Sequence, residues 1–221
     1  MTFQAAPEPP KDCPRCRRLV SYRLENELAE PSWFNGAVPS FGPPEGAEAV
    51  RLLVLGMAPG RQGANRTGRP FTGDWAGDLL YASLLRFGLA EGNYDRRADD
   101  GLVLKGTMIS NAVRCVPPQN KPLGEEVAHC RPFLTSRIES LPNLKVVVTL
   151  GKIAHDALLR TLGLKLKDHA FAHDFRRETE GPNGALILRA SYHCSRYNTN
   201  TGRLTEEMFD HVMGGAKDDA F

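Results

Sequence analysis

The amino-acid sequence predicts an α/β fold built on a four-stranded parallel sheet. Three observations predict it: four short apolar runs after residue 50, an amphipathic helical stretch following each, and unusual loop sequences where the runs end. Strands that alternate with helices imply right-handed crossovers and a sheet covered on both faces.

The elements follow in order. Eight of the sixteen prolines lie in the first 44 residues, so this Pro-rich N-terminal segment (1–49) is mostly loop, interrupted by one helix over Leu19–Ala29. Val50–Leu55 reads as a buried strand ending at Gly56, followed by the Gly-rich loop Met57–Gly73. A helix over Trp75–Phe87 carries Leu79, Leu80, Leu84 and Phe87 at helical spacing. Thr107–Val113 is the second strand. Gly124–Ser140 is helical in pattern, with Pro132 expected to kink it or to start a second helix. Lys145–Leu150 is the third strand and Lys152–Leu162 the next helix. Ala185–Ala190 is the fourth strand; the polar segment Ser191–Gly202 leads from it to a last helix over Leu204–Met213. The whole chain, 1–221, reads as a single domain.

Composition excludes several classes. The 221 residues are 41% apolar and 24% charged, values of an ordinary folded domain. A chain of this length buries roughly 70% of its unfolded surface and needs no staple to fold. The longest apolar runs, Leu52–Leu55 and the stretch 146–150, fall far short of the ~20 residues of a membrane-spanning helix. The start, MTFQAAPEPPKD, has neither a basic opening nor an apolar core, so it does not read as a secretory signal. The expected home is the cytoplasm, and the expected state a monomer. A net charge of +2 says little about partners; clustering says more, because Arg61, Arg66 and Arg69 share nine residues that contain no acid.

Ligands of open α/β sheets sit outside the carboxyl ends of the strands. Those ends here carry Gly56–Asp74, Asn111–Pro122 and Ser191–Gly202, which is the first pointer to a site. The first loop has five glycines and three arginines in nineteen residues. It lacks the Gly-Lys-Ser/Thr ending of a phosphate-binding loop and the three spaced glycines of a dinucleotide fold. Asp74 has two readings, a helix N-cap before Trp75 or a functional carboxylate. His193 sits at a strand exit among small polar residues.

Cys13 and Cys16 form a C-x2-C pair, and Cys115 and Cys130 lie about a hundred residues on, with fourteen residues between them. A shared four-thiolate site would tie the N-terminal segment to the second strand's exit and the following helix. Zinc and an iron–sulfur cluster both accept such a set, and Arg15, Arg17, Arg114 and Arg131 would offset the charge of a cluster. The competing readings are a redox pair, which fits poorly where no strand precedes it, and unrelated buried cysteines. Cys194 reads as a non-ligand.

Taken together, Gly56–Asp74, the run Val113-Arg-Cys-Val-Pro-Pro-Gln-Asn-Lys-Pro122, Ser191–Thr205 and the four cysteines resemble the uracil-DNA glycosylase superfamily, and within it the family 5 (type B) enzymes. The match covers most of the chain. The resemblance implies a three-layer α/β/α fold and a 4Fe–4S cluster on Cys13, Cys16, Cys115 and Cys130, deciding iron against zinc. Family 4 carries a glutamate directly after the glycine that ends the first strand; Met57 stands there, which points to family 5. One departure is Cys194, where relatives often have proline or an apolar residue after the histidine.

The implied activity is hydrolysis of the N-glycosidic bond of uracil in DNA, with hypoxanthine as a further expected substrate, leaving an abasic site in base excision repair. The base must first leave the stack, at a cost of a few kcal/mol. By resemblance, Phe71 supplies a stacking platform, Asn120 reads the base edge, and Gly56 and Ala58 let backbone approach it. Asp74 positions water and stabilises the sugar cation, and His193 donates to the base oxygen that gains charge. Asn111 is a second, less favoured base reader. Arg66, Arg69, Arg196 and Arg203 are candidates for DNA phosphate contacts or plain surface charge. The contrasting readings are a non-catalytic, metal-stapled nucleic-acid-binding module and a zinc-stapled small-molecule transferase. Binding to nucleoid DNA is the expected setting.

Overall fold

In a computed structural model, residues 6–221 are described. Their centre is a five-stranded sheet made of β1 (Leu52–Gly56), β4 (Thr107–Asn111), β5 (Val146–Leu150), β6 (Phe175–Gly181) and β7 (Gly184–Ser191), in the order β4-β1-β5-β7-β6. The first four in that order pair in parallel, and β6 pairs with β7 antiparallel. The four expected strands are all present, and the sheet has one more.

The fifth strand went unread for a physical reason. β6 is Phe-Arg-Arg-Glu-Thr-Glu-Gly at the sheet edge, and most of its side chains are exposed. An edge strand that buries no apolar face carries no hydrophobic alternation, and charge along it discourages pairing with other chains. Its register, Gly181 opposite Gly184, leaves Pro182 and Asn183 as the turn. A two-stranded ribbon of β2 (Ala90–Glu91) and β3 (Val103–Leu104) was also unexpected, being too short to leave a pattern.

Alternation within the central strands builds the layers. Leu52, Val54, Val146 and Val148 face a core shared with α3 (Trp75–Arg86) and α7 (Glu206–Ala220), through Leu80, Leu84, Phe209 and Met213. Leu53, Leu55, Val147 and Leu188 face the other side, against Leu134 and Ile138 of α4 (Gly124–Glu139) and Leu158 and Leu159 of α5 (Lys152–Thr161). Both faces are largely apolar because both are covered, with Thr107, Ser110 and Thr149 as buried polar residues among them.

Several boundaries differ from expectation. α4 runs through Pro132 as one helix, although that residue has no N–H for the Ala128 carbonyl. α7 continues past Met213, where the expected helix ended, through Gly214 and Gly215. Those glycines serve packing: a Cβ on Gly214 would stand 3.0 Å from the Phe87 ring, and one on Gly215 would stand 2.6 Å from the Arg189 guanidinium. The polar segment after β7 contains a short helix, α6 (Arg196–Asn200), whose Ser195 hydroxyl accepts from the Asn198 amide. The short helix α2 (Ala64–Thr67) interrupts the Gly-rich loop.

The N-terminal segment is tied to the sheet side by side with the cysteines. α1 (Arg17–Ala29) is joined to α4 by a two-pronged Arg18–Glu126 pair at 2.8 Å. Glu8 bridges Arg114 and Arg137, and Phe41 forms an antiparallel bridge with Ile109 at the β4 edge. No helix among the described residues is long and apolar enough to cross a membrane.

Candidate active site

All three loop motifs meet above the carboxyl ends of β4, β1, β5 and β7, around a cavity of about 630 Å³. Asn111 closes β4, Gly56 closes β1, Gly151 follows β5, and His193 follows β7. Asp74, Phe71, Asn120, Ala58, Arg196 and Arg203 also line it.

Phe71 is 7% exposed and holds a φ of 53°, a left-handed backbone that a bulky residue adopts only when its surroundings enforce it. The Tyr94 hydroxyl donates to the Phe71 carbonyl and accepts from the Gly73 amide. Gly56 explains its own identity here. A Cβ on it would stand 2.5 Å from the Phe71 ring and would also overlap Asn111 Oδ1, so ring and amide converge above the end of β1.

Asn111 is 2% exposed, and its Oδ1 has no hydrogen-bond partner. A buried, unsatisfied amide oxygen facing a cavity is costly unless a ligand satisfies it. The sequence reading ranked Asn111 below Asn120 because strand-end asparagines often satisfy only backbone; this one leaves its carbonyl free. Asn120 is exposed at the rim, in a 3-10 turn where it and Gln119 both have φ near 55°.

Asp74 stands at the N-cap position of α3, so the capping position is real, yet its side chain closes no cap hydrogen bond of ordinary geometry and its Oδ1 is unpartnered. Burial raises its pKa; the facing amides of Gly77 and Ala76 and the charge of Arg66 offset part of that rise. Gly60 and Gly63 make room for it, since a Cβ on Gly60 would lie 2.6 Å from Asp74 Oδ2. His193 lies 5.9 Å from Phe71, ring to ring and near parallel. Burial pushes its pKa down to about 4, so the imidazole is neutral near pH 7 and can act as a donor without carrying charge.

The arginines divide. Arg69 is a correction: it is 5% exposed, grips Asp100 with both nitrogens at 2.8 and 2.7 Å, and gives Nε to Thr72 Oγ1. It lies over the rings of Phe41 and Tyr81 and organises the interior, away from any phosphate. Arg66 bonds the carbonyls of Gln62 and Gly73 beside Asp74. Arg196 lies over Trp75 and Arg203 over Tyr192, both exposed at the cavity mouth.

A second, smaller cavity is lined by Cys13, Cys16, Cys115 and Cys130 together. Burial first, then Cys130, Glu126 and Cys13, pushes the Cys16 thiol up to about 11; burial, Cys130 and Cys13 push Cys115 to about 12. Burial and neighbouring thiols disfavour ionisation of Cys16, Cys115 and Cys130, which become thiolates together only around positive charge. Among the described residues no three His, Cys, Asp or Glu side chains gather tightly enough to ligate one ion. Four thiols on the walls of one cavity are a soft donor set of the kind that suits zinc or an iron–sulfur group. The Arg114 amide faces Cys130, and Arg23, which bonds the carbonyls of Cys13 and Asp12, is buried nearby. Arg23 was missed because it sits within an ordinary helical stretch. Cys194 lies apart from this set, buried beside Asp74.

A family model described as the uracil DNA glycosylase superfamily matches residues 43–215. A type-5 uracil-DNA glycosylase of Thermus thermophilus is 44% identical, over 93% of this chain and 92% of its own. This chain belongs to the uracil DNA glycosylase superfamily, on its type-5 side. A second type-5 uracil-DNA glycosylase, from Pyrobaculum aerophilum, is 39% identical over 95% of this chain and 89% of its own. A type-4 uracil-DNA glycosylase of the same organism is 34% identical over a shorter span, 74% of this chain and 67% of its own. Within the superfamily frame, the sequence-predicted Asp74, His193, Phe71, Asn120 and Ala58 all line one cavity, Gly56 lies beneath the Phe71 ring and Asn111, and the four cysteines line another cavity.

Proposed function

We propose that this chain excises uracil, and hypoxanthine as a second deaminated base, from DNA by hydrolysing the N-glycosidic bond. The observation that carries the reading is the convergence of the Phe71 ring and the free Asn111 Oδ1 above Gly56, in the cavity that also holds Asp74 and His193. An aromatic face beside an unsatisfied amide is what a flipped nucleobase needs, since stacking tolerates any base and the amide reads its edge.

Asp74 presents one unpartnered carboxyl oxygen, suited to orient water and, when ionised, to face the cation that forms on the sugar. His193, neutral and desolvated, donates to the base oxygen as the bond lengthens. Asn120 approaches the base from the rim. Arg66, Arg196 and Arg203 meet phosphates, which position the strand without reading sequence. Met57 leaves the position after Gly56 without a carboxylate that would narrow the choice of base.

Cys13, Cys16, Cys115 and Cys130 would hold a 4Fe–4S cluster, supplying a structural staple between the N-terminal segment, the β4 exit and α4. Hydrolysis of a glycosidic bond transfers no electron, so the catalytic work rests on the residues of the other cavity. A metal-stapled binding module without activity is the contrasting reading, and one assay separates them. Duplexes carrying single uracil or hypoxanthine lesions are treated with excess enzyme and cleaved at abasic sites. Release of both bases is expected. Asn111→Ala and Asn120→Ala should each slow release at least ~tenfold while binding undamaged duplex within about threefold of wild type, because phosphate contacts carry that affinity. Binding of DNA with no base release would sink the catalytic reading.

A further inference from the structure

The buried stripe of α1 is Leu19, Arg23 and Asn26, at helical spacing, and its middle position is a charge. Arg23 is 7% exposed. Arg69, Arg114 and Arg189 are as enclosed, and each faces a carboxylate: Asp100, Glu8 and Asp219 respectively. Arg23 faces none among the described residues. Its fork donates one nitrogen to the Cys13 carbonyl and the other to the Asp12 carbonyl, both at 3.1 Å. Neutral carbonyls accept its N–H groups but leave its charge uncompensated, and a buried charge is costly unless it is paired.

The opposite charge comes from the cysteine side. Helix side chains lean toward the helix N-terminus, and Arg23 reaches back along α1, past the N-cap Cys16, to the chain at Cys13. At Cys115 burial raises the thiol pKa first, Cys130 and Cys13 add to it, and Arg23 is the cation that works against them. Arg23 therefore stands behind two of the four cysteines, one from the N-terminal segment and one from the β4 exit. Four thiolates around a zinc ion or an iron–sulfur core leave the site with net negative charge.

We infer that Arg23 is the charge partner of the loaded four-thiolate site and the positioning residue of its Cys13 loop: the guanidinium fixes that loop through two carbonyls, and its charge is balanced when the thiolates hold their group. The inference rests on the proposed reading of the four cysteines and adds a residue from outside the cavity they line.

The test follows iron loss from the loaded full chain to excess chelator at pH 7, read by the fading of the brown colour. Arg23→Met, which keeps length and removes charge, should lose iron at least ~tenfold faster than wild type, the scale of an outer partner's effect on a metal site. Arg23→Lys, which keeps the charge and gives up the fork, should stay within about threefold of wild type. An Arg23→Met chain that folds but takes up no iron, where Arg23→Lys does, gives the same answer. Arg189→Met is the control for general loosening: it removes an equally buried arginine paired with Asp219, and should lower the melting temperature with iron loss unchanged. Wild-type iron retention in Arg23→Met, loss as fast from Arg23→Lys as from Arg23→Met, or equal loss from Arg189→Met overturns the inference. Should Arg23→Met fail to fold, Arg23→Lys decides alone, and iron loss ~tenfold faster than wild type overturns it. A wild type that carries zinc in place of iron fails the cluster reading only, and the same assay read on zinc release still decides Arg23. A wild type that holds neither metal overturns both.

Discussion

The carbonyl oxygen of Phe71 occupies the space where residue 77 would carry a Cβ. Gly77 lies in the first turn of α3, and a methyl there would overlap the Phe71 carbonyl and crowd the Tyr94 hydroxyl. The helix thus backs the left-handed turn that presents the Phe71 ring to the cavity. Gly77→Ala is ordinarily favourable in a helix by up to ~1 kcal/mol. Here it should displace residue 71 and slow uracil release at least ~tenfold in a single-turnover assay. Gly124→Ala, in the first turn of α4 where nothing lies within 4 Å, should release uracil at nearly the wild-type rate. Equal rates for the two variants would show that the turn does not depend on that contact.

Gly77 illustrates what the sequence leaves unread. Strands β1 and β5 announce themselves because both their faces are buried, leaving near-continuous apolar runs, while β4 and β7 mix apolar residues with polar ones. The loops announce themselves by glycine, arginine and small polar residues at strand exits. A glycine inside a helix looks like a weak helix residue until the carbonyl packed on it is seen. Phe171, in the loop between α5 and β6, carries no periodic signal, and its place in the cavity lining depends on packing against His155 and Tyr192. Asn111 was visible but ambiguous, because only the fold shows whether its carbonyl finds a backbone partner.

Arg69 and the mouth arginines should separate in a salt titration. Arg69 is enclosed with Asp100, whose carboxyl is held down to about 2: burial raises it, and the Arg69 hydrogen bonds together with two backbone amides outweigh that. Removing one partner of an enclosed pair costs about 3–5 kcal/mol, so Arg69→Ala should lose thermal stability. The loss should be full above pH ~4 and shrink as pH falls toward 2, where Asp100 takes up a proton. Arg196→Ala and Arg203→Ala should instead melt near wild type, bind damaged and undamaged duplex more weakly, and each reduce the slope of log affinity against log salt by about one unit. An Arg69→Ala protein with unchanged melting would contradict the interior role assigned to it.

The cysteines make a prediction that is read by colour and metal analysis. Protein prepared with iron and sulfide under anaerobic conditions should be brown and hold about four irons per chain. Cys115→Ser should lower iron content and melting temperature together, because Cys115 joins the β4 exit to the N-terminal segment. Cys194→Ser should retain full iron, since Cys194 sits beside Asp74 and away from the cysteine cavity. Stoichiometric zinc in a colourless preparation made the same way would replace the cluster with a single ion.

Asp74→Asn tests whether the acid at the head of α3 acts in chemistry or only in capping. Asparagine caps a helix about as well as aspartate, so the substitution removes charge and little else. Positive charge builds on the sugar as the bond stretches, and losing one preorganised electrostatic partner typically costs roughly 2.7–4 kcal/mol, a hundred- to thousandfold in rate. Uracil release by Asp74→Asn under excess enzyme should therefore slow at least ~tenfold, with iron content and duplex binding retained. Stability should move the other way. Burial raises the Asp74 pKa, so the folded protein disfavours the carboxylate relative to the unfolded chain. That penalty is present above the raised pKa and vanishes below the unfolded value near 3.8. Asp74→Asn should thus melt higher than wild type at pH 7, with the gap closing as pH falls toward 4. Wild-type activity should decline as pH falls and Asp74 takes up its proton, while His193 stays neutral down to about 4. A variant that melts higher yet cuts at wild-type rate would make Asp74 a cap alone and leave the bond-breaking to His193 and the strain of the bound nucleotide.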